Sequence, residues 1–152
     1  MSKLACFVLL ITCIAPSRFS PGQQTDSQRP DTPQAREFFN HLQQMLRDND
    51  RKGIAGLVEY PMLTTVNGKK IHIPNRAIFL QDFDQVFDRG IRCAILESTD
   101  KNVWGNSHGF TIEHADTIGT IWFDGFRDPN ERSYVYRLMT VNNGPLNKCD
   151  TH

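Results

Sequence analysis

Three side chains have the chemical type and the neighbours from which proton transfer could be built. Asp84 stands between Phe83 and Phe87 in the run Phe83-Asp84-Gln85-Val86-Phe87. A carboxylate desolvated by such rings has its pKa raised, as a general base working near neutrality requires. The alternative is an exposed acid in a stretch that also carries Asp82 and Asp88. Asp124 follows Trp122 and Phe123, a setting that suits a catalytic acid, but Asp124-Gly125 is also turn chemistry, and a turn is the expectation there. His108 alternates with Trp104, Asn106 and Phe110, which puts all four on one face of a strand. A neutral imidazole so placed acts as acid, base or hydrogen-bond donor, or it is simply a half-buried, satisfied histidine.

Other chemistries have less behind them. His108, His114 and Asp116 are metal-binding types without a zinc spacing, so no metal site and no cofactor is expected. No Gly-x-Ser-x-Gly nucleophile elbow, Walker phosphate loop or His-Glu-x-x-His helix is expected either. Cys93 has no base partner in sequence, which leaves cysteine catalysis unsupported. Trp104, Phe110, Trp122, Tyr136 and Phe83 are candidate walls of a ligand pocket, because aromatic rings offer large apolar contact. Ordinary core is the alternative for each.

The elements that must position these groups change period midway along the chain. Thr32-Pro33 opens a helix, Thr as N-cap and Pro at the first helical position. Ala35, Phe38, Phe39, Leu42, Met45 and Leu46 form its apolar face. Arg36, Glu37, Asn40, Gln43, Gln44 and Arg47 form its polar face, and the helix ends between Asn49 and Gly53. A short helix over 54–59 follows, stopped by Pro61. Met62–Val66, Asn67-Gly68 and Lys69–Ile73 spell a hairpin with a type I′ turn. Asn75 caps a third helix with Phe79, Phe83, Val86 and Phe87 on one face. Gly90 breaks it, and a shorter helix turns Ile91, Ala94 and Ile95 inward. From Asp100 the period is two, with strands at 103–113, 117–126 and 134–141 and turns at Ala115-Asp116 and Asp128-Pro129-Asn130. On the middle strand Trp122, Asp124 and Phe126 face one way, Ile121 and Phe123 the other, so both faces of the sheet need cover. Helices, a hairpin, helices and then an antiparallel meander make an α+β fold.

The N-terminus has the order of a secretory signal: Lys3, an apolar run from Leu4 to Ala15, then small residues. That run is shorter than the roughly 20 residues a spanning helix needs. Cleavage fits after Ser17 or after Gly22, which makes residues 1–22 a leader and the mature protein periplasmic or secreted. Residues 23–31, polar and without large apolar side chains, read as a disordered tether. A single domain over 32–146 and a tail over 147–152 complete the chain. Export permits a disulfide between Cys93 and Cys149, the two cysteines left after the leader is removed. The alternative is a buried Cys93 and a free Cys149. The 17 Lys and Arg balance the 17 Asp and Glu, and no basic block stands out, which argues against nucleic acid and anionic membrane as partners.

Phe38-Phe39-x-x-Leu42, the stretch from Asp50-Arg51-Lys52-Gly53 to Val58, Tyr60-Pro61, Phe79-Leu80-x-x-Phe83-Asp84-x-Val86-Phe87 and Gly119-Thr120-Ile121-Trp122-Phe123 together span nearly the whole domain. In these segments the chain resembles the NTF2-like (cystatin-like, SnoaL-like) superfamily, in particular small exported bacterial members to which no activity is assigned. The resemblance implies a cone, a strongly curved antiparallel sheet wrapped around the first helix with an apolar pocket at its open end. Family members use that pocket for isomerase, dehydratase, cyclase or hydrolase chemistry, for ligand binding, or for assembly with partners, so fold alone does not select among these. The leading expectation is an exported module that binds a small apolar ligand or a protein partner. A pocket enzyme using Asp84, His108 or Asp124, and an envelope interaction or inhibitor protein dimerising through the sheet, are the alternatives.

Overall fold

The computed structural model describes residues 33–112, 121–127 and 134–143. The leader, tether and tail, both domain edges, Thr32, His114, Asp116, Cys149 and the two turns flanking the middle strand of the meander lie outside the described residues.

Helix α1, Pro33–Arg47, buries Ala35, Phe38, Phe39 and Leu42 as its period requires. Asn49 takes a positive φ of 52° just beyond its end. Asp50 then caps α2, Arg51–Leu57, by accepting from the Gly53 N–H at 2.8 Å. Gly53 is needed there, since a Cβ would stand 2.2 Å from the capping carboxylate. After the cis Tyr60-Pro61 bond, β1 (Met62–Val66) and β2 (Lys69–Ile73) pair antiparallel across Asn67 and Gly68, both at positive φ. Burial pushes the Tyr60 phenol up to about 12, and its hydroxyl donates to the Ala55 carbonyl at 3.0 Å.

The expected third helix is two. Helix α3, Arg76–Gln81, is capped by Asn75, and a single turn, α4, spans Phe83–Val86. Gly90 breaks nothing. It lies inside α5, Arg89–Glu97, because the Asp88 carboxylate accepts from the Ile91 N–H and starts the helix two residues before Ile91. The apolar face survives these breaks, with Phe79, Phe83, Val86, Phe87, Ile91 and Ile95 all buried.

A 3₁₀ turn at Asp100–Asn102 leads into the meander. The single strand expected over 103–113 is instead a hairpin, β3 (Val103–Asn106) and β4 (Gly109–Ile112), joined by Ser107 and His108. Gly109, at φ 123°, permits the reversal; a Cβ on it would meet the Phe123 carbonyl oxygen at 2.8 Å. Strands β5 (Ile121–Arg127) and β6 (Tyr134–Val141) complete a sheet of order β3-β4-β5-β6, with a register shift between Trp122 and Phe123. Asp124 and Gly125 lie inside β5 rather than in a turn. Gly125 is there because the Tyr136 ring covers it, 3.0 Å from where a Cβ would be.

One face of the sheet carries Phe110, Phe123 and Leu138 side by side, all buried, and α1 meets this face through Phe38. Phe38 stacks on Phe123 with centroids 4.9 Å apart, and Phe110 stacks on Phe123 at 5.7 Å. The other face carries Trp104, Thr111, Trp122 and Thr140 in one row. Thr111 in that row is 1% exposed and both tryptophans are half-buried, so this face is also partly covered. The two sheets meet where β1 runs beside β6. Parallel bridges join Val58 to Leu138 and Thr65 to Asn142, and the Thr64 hydroxyl donates to the Val141 carbonyl.

Gln43 departs from the sequence pattern. Expected on the polar face of α1, it is 5% exposed, and its Nε2 donates to the carbonyls of Ile95 (2.6 Å) and Ser98 (2.8 Å). It thereby satisfies acceptors at the C-terminal end of α5 that the helix itself leaves without partners.

Replacing Phe123 by Ala should cost about 3–5 kcal/mol of stability in urea unfolding, because the ring has Phe38 on one side and Phe110 on the other. A loss below ~1 kcal/mol would show that the stack does not hold helix and sheet together.

Candidate functional site

Helix α3, the turn α4 and the residue that ends it bring three phenylalanines together, Phe79, Phe83 and Phe87. Phe83 and Phe87 stack at 5.2 Å, and Phe79 meets both edge-on at 5.7 and 6.1 Å. Two guanidinium groups lie over the Phe83 ring, Arg51 from α2 at 5.0 Å and Arg92 from α5 at 5.3 Å. Asp84 joins them. Arg51 Nη1 donates to its Oδ2 at 2.7 Å, and Arg92 Nη2 donates to its Oδ1. Arg92 Nε also donates to the Phe87 carbonyl at 2.6 Å. The result is a three-residue ion cluster resting on an aromatic floor and tying α2, α4 and α5 to one another.

This arrangement reverses the electrostatics expected of Asp84. Its side chain is 62% exposed, and the upward push of desolvation is outweighed by the two arginines. The hydrogen bond from Arg51, then the charges of Arg51 and Arg92, hold the carboxyl below the ordinary carboxylate range. A group held low in the folded state contributes stability above its unfolded pKa and loses it as pH falls through the folded value. Asp84 is thus a permanent anion at neutral pH and a weak base.

Beside this cluster, between α4 and α5, is an open depression of about 610 Å³ lined by Asp84, Phe87, Arg89, Arg92, Cys93, Leu96 and Glu97. Leu96 and Cys93 give it half-buried apolar surface, while Arg89, Arg92, Asp84 and Glu97 bring charges of both signs. Cys93 is disulfide-bonded, and Cys149, the partner expected from the sequence, lies outside the described residues.

The remaining candidates lie elsewhere. His108 is exposed in the β3–β4 turn and does not share a strand face with Trp104. Its Nδ1 is 3.3 Å from the Ser107 hydroxyl, beyond the roughly 2.6–3.2 Å of an activated pair. The sequence does spell Gly-x-Ser-x-Gly once, at Gly105-Asn106-Ser107-His108-Gly109, contrary to expectation. These residues form a hairpin turn, whereas a nucleophile elbow needs a strand running into a helix. Asp124 is close to this turn, its Cβ 3.4 Å from the position a Gly109 Cβ would take, and its Oδ1 accepts from the Gly125 N–H at 2.8 Å.

The five proposed wall residues do not surround one space. Phe110 and Phe83 are each 1% exposed and belong to the core, Phe110 with Phe123 and Tyr136, Phe83 with Phe79 and Phe87. Trp104 and Trp122 lie on the opposite face of the sheet from Phe110 and Tyr136. Arg51, Arg92 and Leu96 were not singled out by the sequence. The one signal for Arg92 and Leu96 is their spacing with Arg89 along α5, which only a knowledge of what faces α5 turns into a site, and Arg51 reaches it from α2. Among the described residues, no three His, Cys, Asp or Glu side chains gather as a metal site would need. No helix among them is long and apolar enough to cross a membrane.

In an NMR titration, Asp84 should have its midpoint below the ordinary aspartate value of about 4, and Arg51→Gln should move that midpoint upward. A midpoint above that ordinary value would restore Asp84 as a candidate base. No protein-family model matches the chain, and no curated protein and no solved structure matches it.

Proposed function

We propose that the protein is an exported binding module, and that the depression between α4 and α5 is where it takes an apolar ligand or partner group. The observation that carries this reading is the character of the buried polar groups. Among the described residues these are Gln43, Thr64, Ser98, Thr111 and Asn143, all neutral. Each has a hydrogen-bond partner within the protein. Proton-transfer chemistry needs a desolvated, tunable group, and Asp84 is instead exposed and doubly paired. Binding needs only accessible apolar surface with a polar rim, which Leu96, Cys93 and the surrounding charges provide.

The leader-like N-terminus supports export, and so does the disulfide at Cys93, since such bonds persist in oxidising compartments. The element order, α1 packed across the sheet and β1 running beside β6, supports an NTF2-like cone.

The full chain should enhance the fluorescence of 1-anilinonaphthalene-8-sulfonate, and Leu96→Arg should weaken that binding at least about fivefold by placing a charge on the apolar surface. Unchanged binding in Leu96→Arg, with native near-UV circular dichroism, would remove the depression as the site.

A further inference from the structure

We propose that the outer face of the β1–β2 hairpin is a docking surface for an anionic lipid bilayer, Leu63 entering the headgroup region while Lys69 and Lys70 meet the phosphates. This surface is separate from the depression between α4 and α5 and does not depend on it.

The charges of the chain balance overall but not locally. From Pro61 to Gln81 the sequence has Lys69, Lys70, His72 and Arg76, and no Asp or Glu. The fold does not return acids to this stretch. Of the elements packed against the hairpin, α3 and β6 contain none, and Asp84 of α4 is already shared by Arg51 and Arg92. Lys69, Lys70 and His72 are exposed, and neither lysine is in an ion pair among the described residues. The overall balance that spoke against an anionic membrane therefore does not describe this surface, where two cations are open to one.

Leu63 supplies the apolar part. It is 67% exposed, the most exposed large apolar side chain among the described residues. Leu63 lies opposite His72 and Thr65 opposite Lys70, so alternation puts all four on one face of the hairpin, with Lys69 beside the turn. Met62, Thr64 and Val66 point the other way and are buried. The Leu63 carbonyl accepts from the Thr140 hydroxyl at 2.6 Å, so the leucine projects from a strand tied to β6. The shape favours lipid over protein. The hollow beside Leu63, lined also by Thr65, Lys70 and Asn142, holds about 150 Å³, below the roughly 300 Å³ at which ligand sites begin. A protein partner's anchor needs a matching pocket, whereas a lone projecting leucine suits a fluid interface that needs none. Lysine stems can also lie along the interface with their charges at headgroup level. A strand added at the edge of β2 would meet two consecutive lysines, which blunt such edges.

The test floats the full chain with vesicles of phosphatidylcholine alone and of phosphatidylcholine with about 30% phosphatidylglycerol. The apolar run from Leu4 to Ala15 would take the chain to either surface, so the quantity read is the ratio of the two partition coefficients. It should be about tenfold or more in favour of the anionic vesicles at low salt, and fall towards one as salt shortens the Debye length. Lys69→Gln combined with Lys70→Gln should remove most of that preference, and Leu63→Asn should lower partition onto the anionic vesicles about threefold or more. All three positions are exposed, so near-UV circular dichroism should stay native in both variants. A ratio near one, or a preference that survives the lysine changes, overturns the proposal. So does lysine-dependent binding to poly-glutamate with lipid partition unchanged in Leu63→Asn, which would assign the surface to an acidic polypeptide.

Discussion

The Phe38 ring lying 4.9 Å over that of Phe123 is the contact through which helix and sheet hold one another. Phe123 is fully buried, with Phe110 stacked on it from the neighbouring strand and Tyr136 leaning in from β6. Once that stack fixes α1, the opposite flank of the same helix fixes α5, because Gln43 reaches the carbonyls of Ile95 and Ser98. The sheet therefore sets the position of α5 through α1, and α5 supplies Arg92, Cys93 and Leu96 to the depression.

A second set of contacts closes the frame. Strand β1 borrows hydrogen-bonding partners from the end of β6, through Asn143 N–H to the Thr65 carbonyl and the Thr140 hydroxyl to the Leu63 carbonyl. Asn143 extends the same seam to α4 through Gln85. The ion cluster of Arg51, Asp84 and Arg92 then ties α2, α4 and α5 at the surface. Exposed pairs contribute little to stability, so its effect is positional: it fixes the charge at the rim and keeps Asp84 ionised.

Much of the fold was legible because it follows from local chemistry. The Asn67-Gly68 turn dictated a hairpin, the apolar spacing of α1 named its buried face, and Tyr134–Val141 formed the strand its alternation suggested. Errors arose where a long-range partner overrode local pattern. Gln43 looks like a surface residue until α5 ends against it. Residues 103–113 read as one strand because alternation continues through Asn106 and His108, and only the reversal at Gly109 separates the two halves. The site was less legible still. Asp84 drew attention as a possible desolvated base through its aromatic neighbours, but the sign of its pKa shift depends on Arg51, 33 residues away in sequence.

Helix α5 depends on α1 through Gln43, and amide hydrogen exchange in Gln43→Ala tests that dependence. Amides in the last turns of α5 should exchange roughly tenfold faster or more, since two buried carbonyls lose their donor, while β5 and β6 keep their protection. Exchange in α5 unchanged from the wild type, or accelerated equally in the sheet, would contradict it.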